Sequence, residues 1–119
     1  MDERRKERRI YPRVKTNLAL EIDDGVLIIK SRVENISSSG VYCQLEKPIL
    51  AMSKVMVSLF LPHPDGQKPG FDQVKCQGVV ARSQPIVKRD SIVYSAAIYF
   101  SDITKKDKNK IVNFILRNL

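Results

Sequence analysis

From Val14 onward the chain alternates apolar and polar positions with period two. Val14, Leu18, Leu20 and Ile22 share one parity, and Lys15, Ala19 and Glu21 the other. This predicts a half-buried strand. Asp23-Asp24-Gly25 follows as a hairpin signal, because Asp-Gly accepts the positive φ angles of primed turns. Val26 to Ile36 reads as a second strand, rich in β-branched residues and uneven enough in its alternation to hold a bulge. After a polar turn ending at Gly40, Val41, Cys43 and Leu45 mark a third strand, which Lys47-Pro48 ends. Lys54 to Leu61 gives a fourth, with Val55, Val57, Leu59 and Leu61 inward. Three prolines and two glycines between Pro62 and Gly70 predict a loop. Val74 to Arg82 and Ile92 to Phe100 complete six strands, with the polar segment Ser83 to Ser91 as their connection. In the last, Ile92, Tyr94, Ala96, Ile98 and Phe100 share one parity.

The period then changes. Thr104-Lys105-Lys106-Asp107 has capping-box spacing, with Asp in place of the commoner Glu. Ile111, Val112, Phe114, Ile115, Leu116 and Leu119 fall on an arc of about 200° on a helical wheel, wider than a usual core stripe. This helix must cover something apolar, and plugging a barrel end is the first expectation; a partner is the other. Six short antiparallel strands need their edges managed, and closure removes them. The expected fold is therefore all-β with a C-terminal helix: a small, partly open, six-stranded antiparallel β-barrel. Its divisions are a basic arm over 1–13, the barrel over 14–103 and the helix over 104–119.

Charge refines this picture. The net charge of +8 lies at the two ends. Residues 1–15 hold seven basic groups against three acids, residues 104–119 five against one, and the segment between is balanced at nine each. A neutral body with a basic arm fits a compact anionic ligand better than an extended nucleic-acid footprint, which would also charge the sheet. No apolar run approaches the roughly 20 residues of a membrane span, and no apolar segment follows the basic N-terminus as in a signal peptide. A cytoplasmic protein is expected. Two cysteines, Cys43 and Cys76, are too few for a disulfide-stapled scaffold and read as reduced, packed thiols.

Catalytic and metal signals are thin. His63, the only histidine, stands between two prolines with no Cys, His or carboxylate at ligand spacing. No Gly-x-Ser-x-Gly elbow and no Gly-rich phosphate loop occur. The reading is of a non-enzyme with no catalytic residues, no metal and no cofactor.

Two stretches carry binding chemistry. In Arg8-Arg9-Ile10-Tyr11-Pro12-Arg13, Pro12 pushes Tyr11 towards extended geometry. An extended arm sets Arg9 and Arg13 on one side, about 13 Å apart. Their guanidinium forks suit phosphate oxygens or the O6 and N7 acceptors of guanine. In Asn35-Ile36-Ser37-Ser38-Ser39-Gly40, Asn35 and Ser37 share a strand face. The Asn35 carboxamide can accept from guanine N1–H or N2–H₂, and the Ser37 hydroxyl can donate or accept beside it. Gly40 would permit a positive φ and let a ligand approach the backbone. Taken alone, the first stretch reads as a solvated arm and the second as an ordinary polar turn.

Together, Arg-Arg-x-x-x-Arg and Asn-x-Ser-x-x-Gly resemble the PilZ family of bacterial cyclic di-GMP receptors, and the resemblance covers essentially the whole chain. It implies a six-stranded barrel with a C-terminal helix and a non-catalytic second-messenger receptor. By that resemblance Arg9 and Arg13 match arm residues that fold over the ligand, Asn35 and Ser37 the pair that reads a guanine, and Gly40 the glycine that shapes the turn. Arg8 matches a position where arginine tends to accompany a stacked dimer of the dinucleotide. Two departures stand out: Asn35 occurs where aspartate is commoner, and Ala97 where glycine often is. Closure of the arm is expected to alter a surface read by a downstream protein partner. The alternatives are a nucleic-acid-binding small barrel, argued from the basic ends but lacking exposed aromatic platforms, and an adaptor of the same fold that binds no nucleotide.

Overall fold

The computed structural model describes residues 12–64 and 69–119. Among these residues, seven strands are followed by one helix: β1 (Val14–Lys15), β2 (Ala19–Asp23), β3 (Ile28–Ser37), β4 (Gly40–Leu45), β5 (Lys54–Pro62), β6 (Phe71–Lys88), β7 (Ser91–Asp102) and α1 (Lys105–Arg117). All pairings are antiparallel, in the order β1-β3-β2-β5-β6-β7-β4, and β4 pairs back onto β3. Six strands thus close a barrel, with β1 as an additional short strand on β3. The expected barrel was partly open; the β3–β4 hairpin closes it.

The parity pattern predicts most of the core. Leu20, Ile22, Val33, Ile36, Val41, Cys43, Leu45, Val55, Val57, Leu59, Val74, Val80, Ala96 and Ile98 are all buried inside the barrel. The first expected strand, however, divides into β1 and β2. Thr16 N donates to Glu34 O and Val33 N donates to Leu18 O across the break. The break lies opposite a bulge in β3 between Val33 and Asn35. Bulges bend and coil a strand, which suits β3 to turning the barrel corner.

The hairpin at Asp23–Gly25 forms as its sequence predicts. Gly25 has φ +96°, Asp23 Oδ1 accepts from Gly25 N, and Asp24 Oδ1 accepts from both Val26 N and Leu27 N. The segment Ser83–Ser91, by contrast, is not a loop. β6 and β7 stay paired down to Lys88 and Ser91, leaving only Arg89-Asp90 as the turn. This ribbon extends past the barrel wall, so its outer half has water on both sides and no core to impose alternation. For the same reason Ile92, at core parity in β7, is exposed. Pro85 is tolerated because β6 has only β7 beside it there, which leaves a free edge.

Helix α1 starts at an N-cap: Thr104 Oγ1 accepts from Asp107 N at 3.1 Å. Ile111, Phe114 and Ile115 are buried, and the helix touches β3 and β6. Those strands lie opposite one another around the barrel, so α1 spans the mouth from wall to wall and plugs it. The broad apolar arc is only partly used, since Leu116 and Leu119 face outward. Both cysteines are buried and unpaired.

Candidate functional site

The site begins at the β3 bulge. Where two β3 residues oppose one on β4, Glu34 is exposed and Asn35 half-buried on the outer wall. Arg13, immediately before β1, is carried to the same place because Val14 and Lys15 pair with Ile36 and Asn35. Its Nη1 donates to Asn35 Oδ1 at 3.0 Å, closing a contact between residues 22 apart in sequence. The fold therefore brings together one residue from each sequence motif. Arg8 and Arg9 lie outside the described residues.

Ser37 follows on the same strand face, with the core residue Ile36 between it and Asn35. Its hydroxyl is turned into the hairpin: Ser39 N donates to Ser37 Oγ at 3.2 Å, and the two hydroxyls lie 3.0 Å apart. Ser37 is only 1% exposed. Its first role here is to hold the Ser38–Ser39 turn, in which no residue takes a positive φ.

Gly40 also differs from the sequence reading. Its φ is not in the left-handed region. A Cβ at this position would overlap Ile98 O and lie 2.8 Å from Tyr99 Cα. Glycine is required because the β7 backbone occupies the space of a side chain, and the close approach is made by the protein itself. In this way Gly40 seats the hairpin that carries Asn35 against β7.

Register adds residues that the motifs do not include. Lys15 pairs with Asn35, Asn35 with Tyr42, Tyr42 with Ala97, and Ala97 with Arg82. Directly paired residues share a face, so these five form one transverse row on the outer wall. The signal for Tyr42 and Ala97 was present in the sequence, since both fall at the parity opposite to the core. The signal for Arg82 was not, because a second bulge, between Val80 and Arg82, resets the β6 parity.

The wall is electropositive along this row through Arg13, Lys15 and Arg82, with Glu34 as the neighbouring acid. It can offer guanidinium donors, one carboxamide and one aromatic ring to an anionic, planar ligand. Among the described residues no group of three His, Cys, Asp or Glu is placed to hold a metal ion. His63 Nδ1 stands 3.4 Å from Asp72 Oδ1, across the β5–β6 connection and away from the row. No helix among the described residues is long and apolar enough to cross a membrane.

The family model for the PilZ domain matches residues 3–117. The chain belongs to the PilZ domain family. No curated protein matches the sequence. Among solved structures, this PilZ domain is similar to the Bacillus subtilis inhibitor of motility MotI/DgrA, with TM-score 0.74 and 20% identity over 92% of this chain and 50% of that one. The PilZ domain of YcgR from Escherichia coli with c-di-GMP matches with TM-score 0.65 and 11% identity, over 93% and 91% of the two chains. PlzA from Borreliella burgdorferi in complex with c-di-GMP matches with TM-score 0.62 and 9% identity, over 96% and 56%. The chain thus spans about half the length of MotI/DgrA. At these identities the likeness is one of fold.

Proposed function

We propose that this PilZ domain is a non-catalytic receptor for cyclic di-GMP, held between the N-terminal arm and the outer wall around Asn35. The observation that carries this reading is the 3.0 Å bond from Arg13 to Asn35, which joins the arm motif to the turn motif on an open, basic face. The membership of the family, some of whose solved structures hold c-di-GMP, supports it. Arg13 is bound through one of its five N–H donors, so the rest are available to a phosphate or a guanine edge. Arg9 lies four residues earlier and Arg8 five, within about 18 Å of extended chain, enough to reach over a dinucleotide lying on the wall. Ligand contacts made by the arm only when closed would bias it towards that state. A downstream protein partner would then read the altered surface.

Titration calorimetry with cyclic di-GMP, cyclic di-AMP and GTP tests the proposal. Selective binding of cyclic di-GMP is expected, with at least tenfold loss in Arg13→Ala. A stoichiometry of two ligands per chain, reduced to one in Arg8→Ala, is expected from the stacked-dimer role of Arg8. Undetectable binding at high micromolar ligand, or unchanged affinity in Arg13→Ala, would overturn the receptor reading. One observation favours a second reading, an adaptor independent of nucleotide: Val87 and Ile92 pair at the exposed tip of the β6–β7 ribbon, an apolar feature that a protein partner could cover.

A further inference from the structure

The β6–β7 ribbon leaves the barrel at the end opposite α1, since α1 follows the last residue of β7 and the ribbon tip precedes its first. β5 accompanies β6 only as far as Val79, and β4 accompanies β7 only from Tyr94 onward. The tip beyond Ile86 and Val93 therefore has no neighbouring strand on either side. Val87 and Ile92 pair directly there, so they share a face, and that face is apolar and wet: Val87 is 81% and Ile92 52% exposed. The turn between them carries Lys88, Arg89 and Asp90. Lys88 Nζ donates to Gln44 Oε1 at 3.0 Å, whereas Arg89 is exposed and has no ion-pair partner among the described residues.

A feature of inverse character lies on the outer wall across β2, β5 and β6. An open depression of about 280 Å³, mainly apolar, is lined by Asp23, Asp24 and Gly25 of the hairpin, residues 54–56 of β5 and Gln77 of β6. Asp23, Met56 and Gln77 are in register across the three strands, and no atom lies within 4 Å of where a Cβ on Gly25 would stand. The rim is acidic on the hairpin side. Asp23 and Asp24 use Oδ1 to hold the turn, which leaves their Oδ2 atoms for an incoming cation. Hydrogen bonds from Leu27 N and Val26 N hold the Asp24 carboxyl below its ordinary range, so it stays ionised. Lys54 is the one cation of the lining. The depression thus offers two acids and one base around an apolar floor, and the tip offers two bases and one acid around an apolar pair.

We propose that the ribbon tip of one copy of this chain seats in the β2–β5–β6 depression of a second copy, which returns the same contact. The tip cannot serve its own depression, because ten residues of paired strand from Gln77 to Val87 set the two about 30 Å apart. A two-fold axis makes both contacts at once, with the ribbons antiparallel, and needs no surface beyond those described. Arg89 then meets the Asp23–Asp24 rim, and Val87 and Ile92 cover Met56. A tip this small buries less than the roughly 1,000 Å² of a stable interface, and symmetry doubles it, so the dimer is weak and concentration-dependent. This goes beyond the receptor reading and does not depend on nucleotide.

The test is sedimentation velocity of the whole chain without nucleotide, from about 5 to 500 µM, on wild type and four variants. Wild type should show a monomer–dimer equilibrium with Kd on the order of 10 to 100 µM. Val87→Thr/Ile92→Thr, which keeps β-branched residues in the ribbon, should be monomeric throughout. Arg89→Glu and Gln77→Lys should each weaken the dimer about tenfold by setting like charges together, and the double variant Arg89→Glu/Gln77→Lys should recover most of the loss. All four positions are exposed, and unchanged circular dichroism melts would confirm that each variant folds. Wild type that stays monomeric at the highest concentration overturns the proposal, leaving the tip to another occupant or to water. So does a dimer that survives Val87→Thr/Ile92→Thr. A dimer that needs the tip but is indifferent to Arg89→Glu and Gln77→Lys, or is not restored in their combination, overturns the pairing of tip with depression.

Discussion

Replacing Gly40 by alanine should damage the barrel before it affects any ligand. The added Cβ would overlap Ile98 O and lie 2.8 Å from Tyr99 Cα and 3.2 Å from Ile98 C. Carbon atoms pack favourably at about 3.5 to 4.0 Å. All three neighbours are backbone, so no side chain can rotate away. Relief requires β4 to back away from β7 by roughly 1 Å, which stretches the Gly40–Tyr99 pairing and the 2.9 Å bond from Phe100 N to Ser39 O. Overpacking of this kind costs about 1 to 3 kcal/mol, and each weakened hydrogen bond up to about 1 kcal/mol. A total of about 2 to 3 kcal/mol is expected, which lowers Tm by roughly 10 °C in a domain of this size.

Gly25→Ala provides the contrast. A methyl group added there would meet nothing within 4 Å, but the residue holds φ +96°, so the cost is backbone strain, about 1 kcal/mol. Thermal and urea melts followed by circular dichroism would compare the two. A Gly40→Ala protein melting within about 2 °C of wild type, or one more stable than Gly25→Ala, would refute the steric argument. If the argument holds, lost nucleotide binding in a Gly40 variant reports on the wall and not on a ligand contact.

Further outcomes are expected. Burial, with the Glu34 carboxylate second, pushes the Cys43 thiol up to about 12, and burial pushes Cys76 up to about 11. Both should resist a thiol reagent at pH 8 in the native state and react once unfolded. Because native Cys43 keeps a proton that the unfolded chain loses near pH 8.5 to 9, stability should fall between about pH 9 and 12, by up to about 1.4 kcal/mol per pH unit; urea midpoints in that range should show a shallower slope in Cys43→Ala. Thr104→Ala removes the α1 cap and should cost about 1 kcal/mol in a urea melt. Ile111→Ala, at a fully buried position, should cost about 3 kcal/mol, whereas Leu116→Ala, facing water, should cost under about 0.5 kcal/mol. Asn35→Asp, which offers two acceptor oxygens, should tighten cyclic di-GMP binding about tenfold by calorimetry; equal or weaker affinity would refute the view that Asn35 is short of acceptors.

The strands from Val14 to Phe100 were legible because a barrel wall has one wet and one dry face, and that asymmetry writes period two into the sequence. Legibility failed where the asymmetry fails. The outer half of the β6–β7 ribbon is wet on both faces, so Ser83 to Ser91 carries no alternation and Pro85 misleads. Arg82 was hidden in the row because one inserted residue on β6 changes which parity faces out. Gly40 was visible as a glycine, but what fills the space beside it is the backbone of β7, far along the chain. Ser37 could be placed on the right face by parity, whereas its burial depends on the turn it helps to form. Arg8 and Arg9 remain readings from the motif alone.

The bond between Arg13 and Asn35 bears on whether a receptor of this kind is held ready or held shut. A contact that used all the donors of Arg13 would compete with an anionic ligand. This one uses Nη1 and leaves the other guanidinium N–H groups free, so a phosphate can be received without breaking it. Ordering an arginine side chain costs up to about 2 kcal/mol of conformational entropy, and the contact meets part of that cost before ligand arrives. The single Asn35 oxygen, however, is already accepting, and guanine would present it with more donors. On the receptor reading, then, Asn35 assists the phosphate end of the ligand through Arg13 while limiting what it can offer the base. Aspartate would relieve the second effect without losing the first. On that reading, affinity at this wall would follow how many acceptors position 35 supplies, and the further donors would come from the arm that carries Arg13.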